Sequence, residues 1–422
     1  MDYFGSDSLH WSLVLVFATV YLGMFLGGLP RLKLDRSGVA LLGAIAVIAL
    51  TGMTVEEAAE SVDLPTLVLL FAFMVVSAQM RLGGFYTAVT RRVGMLALSR
   101  NGLLAALIAV AGGLSAVFSN DIVCLAMTPV VVRLCRHRGL EPVPFLIGLA
   151  CAANIGSAAT LIGNPQNMLI GSVLQLSFAD YVRQALPPVV ASLGLLWLWL
   201  AYGPGVREHM ALLVTHDDAL VERGADEPAF DRFETAKGLL VAGALLVIFL
   251  FTDWPREVTA LVGAAVLLMS QRLHSSHVMG FVDWQLLVLF IGLFVVNQAF
   301  EDTGLAAQAV AWLAAQGMQL SDSGPLLVVS TALSNLVSNV PAVMLLLPHL
   351  GGDVQASQQA GVLLALASTM AGNLLLVGSI ANLIVVDLAR RNGVAIGWLA
   401  HARVGLPVTL ASLAVVWFWL WL

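Results

Sequence analysis

Four short polar runs interrupt the apolar stretches of this chain: Ser119-Asn120-Asp121, Asn154 to Asn167, Ser338-Asn339-Val340 and Asn373 to Asn382. They hold amides, hydroxyls and one carboxylate, a set suited to binding ions and small polar solutes rather than to making or breaking covalent bonds. Backbone unwound at membrane depth is tolerated only where it is buried in protein or lines a wet cavity. Two such breaks in each half of a chain, at corresponding places, point to a transporter's binding site.

The residue types explain how such a site would work. Ser, Asn and Asp cap the N-termini of half-helices, where free N–H groups and the positive end of the dipole attract anions. Asn oxygens and freed carbonyls can coordinate Na⁺, so one loop can serve substrate and coupling ion together. Within Ile162-Gly163-Asn164-Pro165-Gln166-Asn167, Gly163 permits positive φ, Pro165 forbids a continuous helix, and Asn164 and Asn167 supply oxygen and NH₂ groups. Thr160 stands just before this run, and Gly378 and Ser379 precede Asn382 in the second half. The expected substrate and ion ligands are therefore Ser119, Asn120, Asp121, Asn154, Thr160, Gly163, Asn164, Asn167, Ser338, Asn339, Asn373, Gly378, Ser379 and Asn382. Asp121 is the one acidic residue expected deep in the membrane, as a proton carrier or cation ligand; its structural alternative is a plain cap of the following helix. Val340 takes its place in the second half, which makes the two tips chemically unequal.

The elements that position these residues follow from composition. Of 422 residues, 59% are hydrophobic and 11% charged, against roughly 25% charged in a soluble domain, so lipid rather than water must solvate most of the chain. Runs of spanning length recur from Trp11 to Gly28 through Val404 to Leu422. The first lacks a basic segment before it and a cleavage site after it, so it is a span and not a signal peptide. One long polar stretch, from Gly203 to Ala236, carries much of the acidic charge and reads as a cytoplasmic linker over 203–235. The cysteines Cys124, Cys135 and Cys151 lie in apolar segments with neither disulfide nor zinc spacing.

The two halves echo each other. Ala40-Leu41-Leu42-Gly43-Ala44 returns as Ala260-Leu261-Val262-Gly263-Ala264, Val62-Asp63 as Val282-Asp283, and Ser119-Asn120 with Pro129 as Ser338-Asn339 with Pro348. Asn154 matches Asn373, and Gly163 and Asn167 match Gly378 and Asn382. Collinear matches of this kind predict two repeats, 9–202 and 236–422. Each is expected to be all-α, with five spans and a re-entrant hairpin whose arms reach about 13 to 16 residues, short for a crossing. An odd number of crossings inverts the second repeat. Placing the loop from Arg31 to Arg36 in the cytoplasm then puts all but Arg183 and Arg256 of the 20 Lys and Arg inside.

At these residues the chain resembles the ion transporter superfamily of citrate and dicarboxylate permeases, arsenite pumps and some Na⁺/H⁺ antiporters. The motifs are Phe118-Ser119-Asn120-Asp121-Ile122 with Thr128-Pro129, Ile162 to Asn167, Val337-Ser338-Asn339-Val340-Pro341, and Gly378-Ser379-Ile380-Ala381-Asn382. They are most similar to its branch of YbiR-like anion permeases. The resemblance implies a homodimer of elevator type in the cytoplasmic membrane. Its scaffold would be 9–98 and 236–318, and its moving transport parts 99–202 and 319–422. It implies a small anionic substrate, no cofactor, no nucleic-acid partner, and H⁺ or Na⁺ as coupling ion, with Na⁺ at Ser119, Asn120, Ser338 and Asn339. Dicarboxylate members carry Ser-Asn-Thr at both tips, whereas Asp121 and Val340 replace the threonines here. The Ser-Asn-Asp tip is similar to the arsenite pumps, where H⁺ exchange is expected. Arsenite or antimonite efflux and Na⁺-coupled dicarboxylate or citrate transport are the alternatives within this class, and an anion channel is the alternative outside it. An intramembrane hydrolase is set aside, because no nucleophile and base are placed together at membrane depth.

Overall fold

The computed structural model describes residues 3–29, 33–203, 230–351 and 353–421. Residues 204–229 of the expected linker lie outside the described residues, as do residues 30–32 of the loop that anchors the expected topology. The first half forms α1 (Tyr3–Leu26), α2 (Arg36–Thr51), α3 (Val55–Glu60), α4 (Leu64–Leu82), α5 (Phe85–Gly94), α6 (Arg100–Val117), α7 (Asn120–His137), α8 (Pro142–Ser157), α9 (Pro165–Val173) and α10 (Phe178–Tyr202). The second half follows in the same order. It runs through α11 (Arg232–Phe251), α12 (Arg256–Leu268), α13 (Ser275–Met279), α14 (Trp284–Asp302), α15 (Leu305–Ala315), α16 (Ser323–Val337), α17 (Asn339–Leu346), α18 (Val354–Ala371), α19 (Ile380–Arg391) and α20 (Trp398–Trp421). No strand occurs among the described residues.

The sequence echoes have local causes. Asp63 and Asp283 each cap the helix they precede, accepting from the N–H of Thr66 at 2.8 Å and of Leu286 at 3.0 Å. Gly84 and Gly304 each turn the chain into the next helix in the left-handed region, at φ 69° and 73°, where a side chain would be strained. At the start of α11, Asp231 accepts from the N–H groups of Phe233 and Glu234. The Glu234 N–H, first among several partners, holds the Asp231 carboxyl below its ordinary range.

Among the described residues, seven helices are long and apolar enough to cross a membrane: α1, α4, α6, α10, α11, α14 and α20. The hairpin arms of the first half are longer than expected, at 18 residues each, while α16 and α17 of the second have 15 and 8. Ser99 caps α6 from Arg100 onward, and α7 runs past its apolar part to Arg136 and His137. Conversely, α2 and α12 have 16 and 13 residues, because Gly52 and Pro255 bound them where no further turn can form.

Partners are exchanged between the halves: α2 packs on α14 and α4 on α12, while α6 packs on α8 and α16 on α18. Small residues allow the approach. A methyl group on Gly292 would lie 2.7 Å from the Ala40 carbonyl oxygen, and one on Gly156 would collide with the backbone of Gly112. Leu15, Leu22, Ile45, Leu240, Phe251 and Phe418 stay exposed, as befits side chains whose solvent is lipid.

Candidate functional site

Asn154, on α8, is the centre of the polar cluster. Its Oδ1 accepts from Asn120 Nδ2 at 3.1 Å and from Ser379 Oγ at 2.9 Å, while its Nδ2 donates to Asn373 Oδ1 at 2.9 Å and Asn382 Oδ1 at 3.2 Å. All four hydrogen-bonding places of the amide are filled. Three of the four partners come from the other half of the chain. Every member is buried, and no Lys or Arg takes part.

The two helix breaks are built alike. α8 ends at Ser157, Pro165 is the first residue of α9, and Asn164 caps α9 by accepting from the Asn167 N–H at 2.9 Å. Asn167 Nδ2 then reaches back seven residues to the Thr160 carbonyl at 3.0 Å. In the second half Ser379 caps α19, and Asn382 Nδ2 reaches back seven residues to the Leu375 carbonyl at 3.2 Å and to Gly372 O at 2.9 Å. Each Asn thus satisfies carbonyls that the unwound backbone frees. Gly163 is required by close approach: a methyl group there would collide with the Ser157 carbonyl and stand 2.8 Å from that of Ser115 in α6.

The hairpin tips lie against these breaks. Asn120 N–H donates to the Gly163 carbonyl at 3.4 Å, and Ser119 N–H to Ser77 Oγ on α4 at 3.4 Å. Ser338 holds φ 79° and ψ 160°, a region that is costly for a residue with a side chain. Asn339 Nδ2 lies beside Gly372, 3.0 Å from where a methyl group on that glycine would sit. At both tips an oxygen is left over: Asn120 Oδ1 and Asn339 Oδ1 are buried and accept nothing. A buried acceptor without a donor costs about 1–3 kcal/mol; Gln79 Oε1 and Asn335 Oδ1 are in the same position among the described residues.

Of the expected residues, Asn120, Asn154, Asn373, Ser379 and Asn382 share one bonded cluster. Asn164 and Asn167 belong to a neighbouring one, in which Asn164 Nδ2 donates to Ser157 Oγ at 2.9 Å and Thr369 Oγ1 at 3.3 Å, and Asn167 Nδ2 to Tyr181 OH at 3.0 Å. Thr160 spends its hydroxyl on the Ala116 carbonyl, Gly163 and Gly378 act through backbone, and Ser119 and Ser338 stand outside the bonded clusters. Asp121 is half-buried in the first turn of α7, with no hydrogen-bond or ion-pair partner among the described residues. It is not the most buried carboxylate. Glu234, which falls in the stretch expected to be linker, is 1% exposed and accepts from Gln79 Nε2 at 2.6 Å and Ser270 Oγ at 2.8 Å.

Sequence reasoning missed Ser157, Gln166, Tyr181, Thr369, Asn335 and His401. Thr369 and Asn335 stand in the last turns of α18 and α16, four residues before Asn373 and Asn339. Gln166 Nε2 donates to Thr369 Oγ1 at 3.2 Å, and His401 Nε2 lies 2.9 Å from the Asn373 carbonyl. Nothing local to Tyr181 or His401 marks them.

Known proteins share this architecture. The silicon efflux transporter LSI3 of Oryza sativa subsp. japonica is 30% identical, covering 92% of each chain. The putative transporter arsB of Dictyostelium discoideum is 24% identical over 91% of this chain and 87% of its own. The crystal structure of the YdaH transporter of Alcanivorax borkumensis, described as having an unusual topology, superposes with a TM-score of 0.62 over 98% of this chain and 96% of its own, at 16% identity. Residues 13–370 match the citrate transporter family, and with its apolar helices, paired breaks and amide cluster the chain belongs to that family of multi-pass membrane transporters.

Proposed function

We propose that this protein is a secondary carrier that moves a small anion across the cytoplasmic membrane by elevator-type alternating access, with H⁺ as the coupling ion. The observation that carries this reading is the pair of unpartnered oxygens, Asn120 Oδ1 and Asn339 Oδ1, at the two hairpin tips. The N-termini of α7 and α17 begin at these same residues and offer free N–H groups to an anion. The amide oxygens want the opposite, a hydrogen or a cation, so substrate and coupling ion load together. Asp121, one residue on, is the titratable group of that tip. Na⁺ at Ser119, Asn120, Ser338 and Asn339 is the competing assignment for the same oxygens.

A second reading is efflux of an uncharged hydroxylated acid, of silicon or of arsenic. The same oxygens favour it, because an undissociated acid brings its own O–H donors to a cluster without Lys or Arg. The sequence likeness to a silicon efflux transporter supports it further. In either case we propose a homodimer whose scaffold is 9–98 with 236–318 and whose moving parts are 99–202 and 319–422.

Counterflow in proteoliposomes tests both readings, with citrate, phosphate, arsenite and silicic acid as solutes. Saturable exchange with trans-stimulation by one of them is expected. Flux that rises linearly and shows no trans-stimulation would identify a channel instead.

A further inference from the structure

A cavity of about 750 Å³ is lined among others by Asp63, Leu169, Val173, Gln298, Glu301 and Leu347. Asp63 and Glu301 of this lining, and Arg256 besides, each make a polar contact that joins the proposed scaffold to the proposed moving part. His349 Nε2 lies 3.0 Å from Glu301 Oε1 on α14, with side chains 13% and 23% exposed. Ser172 Oγ, on α9, donates to Asp63 Oδ1 at 3.0 Å. Arg256, on α12, donates to the Gly171 carbonyl of α9 at 2.7 Å.

The corresponding positions in the other half cannot repeat the two side-chain contacts. Asp63 and Ser172 correspond to Asp283 and Asp387, two carboxylates, and Asp387 pairs instead with Arg391 at 2.7 Å and Arg390 at 3.7 Å on its own helix. Glu301 and His349 correspond to Arg81 and Val130; Arg81 lies 4.4 Å over the Phe281 ring, and Val130 has no polar group. Arg256 and Gly171 correspond to Arg36 and Val386, again an arginine and a backbone carbonyl, so that contact is open to both halves and the two side-chain contacts are not.

We propose that the two side-chain contacts, Ser172 with Asp63 and His349 with Glu301, form a one-sided latch that holds the carrier in the state seen here, because the opposite state has no side chains with which to form its equal. This inference rests on the alternating-access reading. An interaction present in one of two states shifts their ratio by its own differential free energy. Losing one hydrogen bond of ordinary strength corresponds to about a 2- to 10-fold change in that ratio.

Val173 is exposed at the cavity, while Cys124, Cys135 and Cys151 are buried, so Val173→Cys gives a single reactive thiol on the moving element. The purified full chain is labelled with a maleimide in detergent, alone and with Ser172→Ala and Glu301→Ala singly and together. The labelling rate is expected to fall by up to about 2- to 10-fold for each contact removed, and most in the double variant, as the opposite state gains population and the cavity closes over α9. Labelling at the parent rate in the double variant overturns the latch. Should that variant fail to fold, Ser172→Ala, which removes a single hydroxyl, decides the question by the same two outcomes. No solute is needed, so the two claims fail separately: reduced labelling beside a wild type that exchanges nothing keeps the latch and sinks the carrier reading. Unchanged labelling beside an active wild type does the reverse.

Discussion

Asn154 and Asn373, 219 residues apart and in matching places in the two halves, hydrogen bond to each other at 2.9 Å through Nδ2 and Oδ1. Residues of the two halves meet in this way when the halves pack around a common point. Asn382 and Ser379 join from the second half and Asn120 from the first, so the amide of Asn154 joins both breaks and one hairpin. Its neighbours depend on it unequally: Asn373 Oδ1 and Ser379 Oγ find in it their partner on α8.

Asn154→Ala is therefore expected to destabilise the protein, since it strands several buried polar groups at about 1–3 kcal/mol apiece. Asn120→Ala removes one donor and, with it, an oxygen that was already unpartnered. Melting temperatures in detergent should fall clearly for Asn154→Ala and little for Asn120→Ala. Equal losses would mean that the two amides carry the same structural weight.

Asn120→Ala and Asn339→Ala should instead damage transport. Each removes an acceptor offered to the ligand, and losing one such bond costs about 1–3 kcal/mol, roughly 5- to 150-fold in affinity. Uptake kinetics at several solute concentrations check this, and wild-type kinetics in both variants would reject the tips as the site.

The breaks were legible because Pro165, Gly163 and the paired Asn residues have no cheap place inside a membrane helix. The order of elements followed from matching caps such as Asp63 and Asp283. What stayed hidden was partnership across the chain. That Asn154 would meet Asn373 while Thr160 would bond Ala116 of α6 depends on how helices far apart in sequence cross. The burial of Glu234 was hidden for the same reason: a carboxylate beside an acidic linker looks solvated until Gln79 and Ser270 close over it.

Gly163→Ala is expected to fail at the level of folding. The added methyl group meets backbone of α6 and of the break itself, which cannot swing aside as a side chain can. Gly113→Ala, one helix away, meets nothing within 4 Å and should behave as wild type. Size-exclusion profiles after membrane extraction distinguish them; a monodisperse Gly163→Ala protein would show that the break can relax.

Orientation is testable without a substrate. Glu57 on α3 and Asp302 at the end of α14 are exposed and fall where the charge bias places the chain outside, whereas His274 belongs inside. Cysteines at Glu57 and Asp302 should react with an impermeant thiol reagent in intact cells, and a cysteine at His274 should not. Labelling at His274 would overturn the inverted arrangement of the halves.

Asp121 decides the coupling ion. It stands half-buried one residue after Asn120 and has neither a hydrogen bond nor an ion pair among the described residues. Asp121→Asn keeps the size and polarity of the side chain but cannot carry a proton. If H⁺ drives transport, this variant loses accumulation under an imposed pH gradient and retains some downhill exchange, because the amide cluster that receives the substrate is intact. If Na⁺ drives it, wild-type accumulation follows a Na⁺ gradient and the variant chiefly weakens that dependence, since one oxygen of a cation site has become an amide. Proteoliposomes with one gradient imposed at a time separate the two cases. Undiminished accumulation in Asp121→Asn under a pH gradient would reduce the carboxylate to a dipole-compensating residue in the first turn of α7.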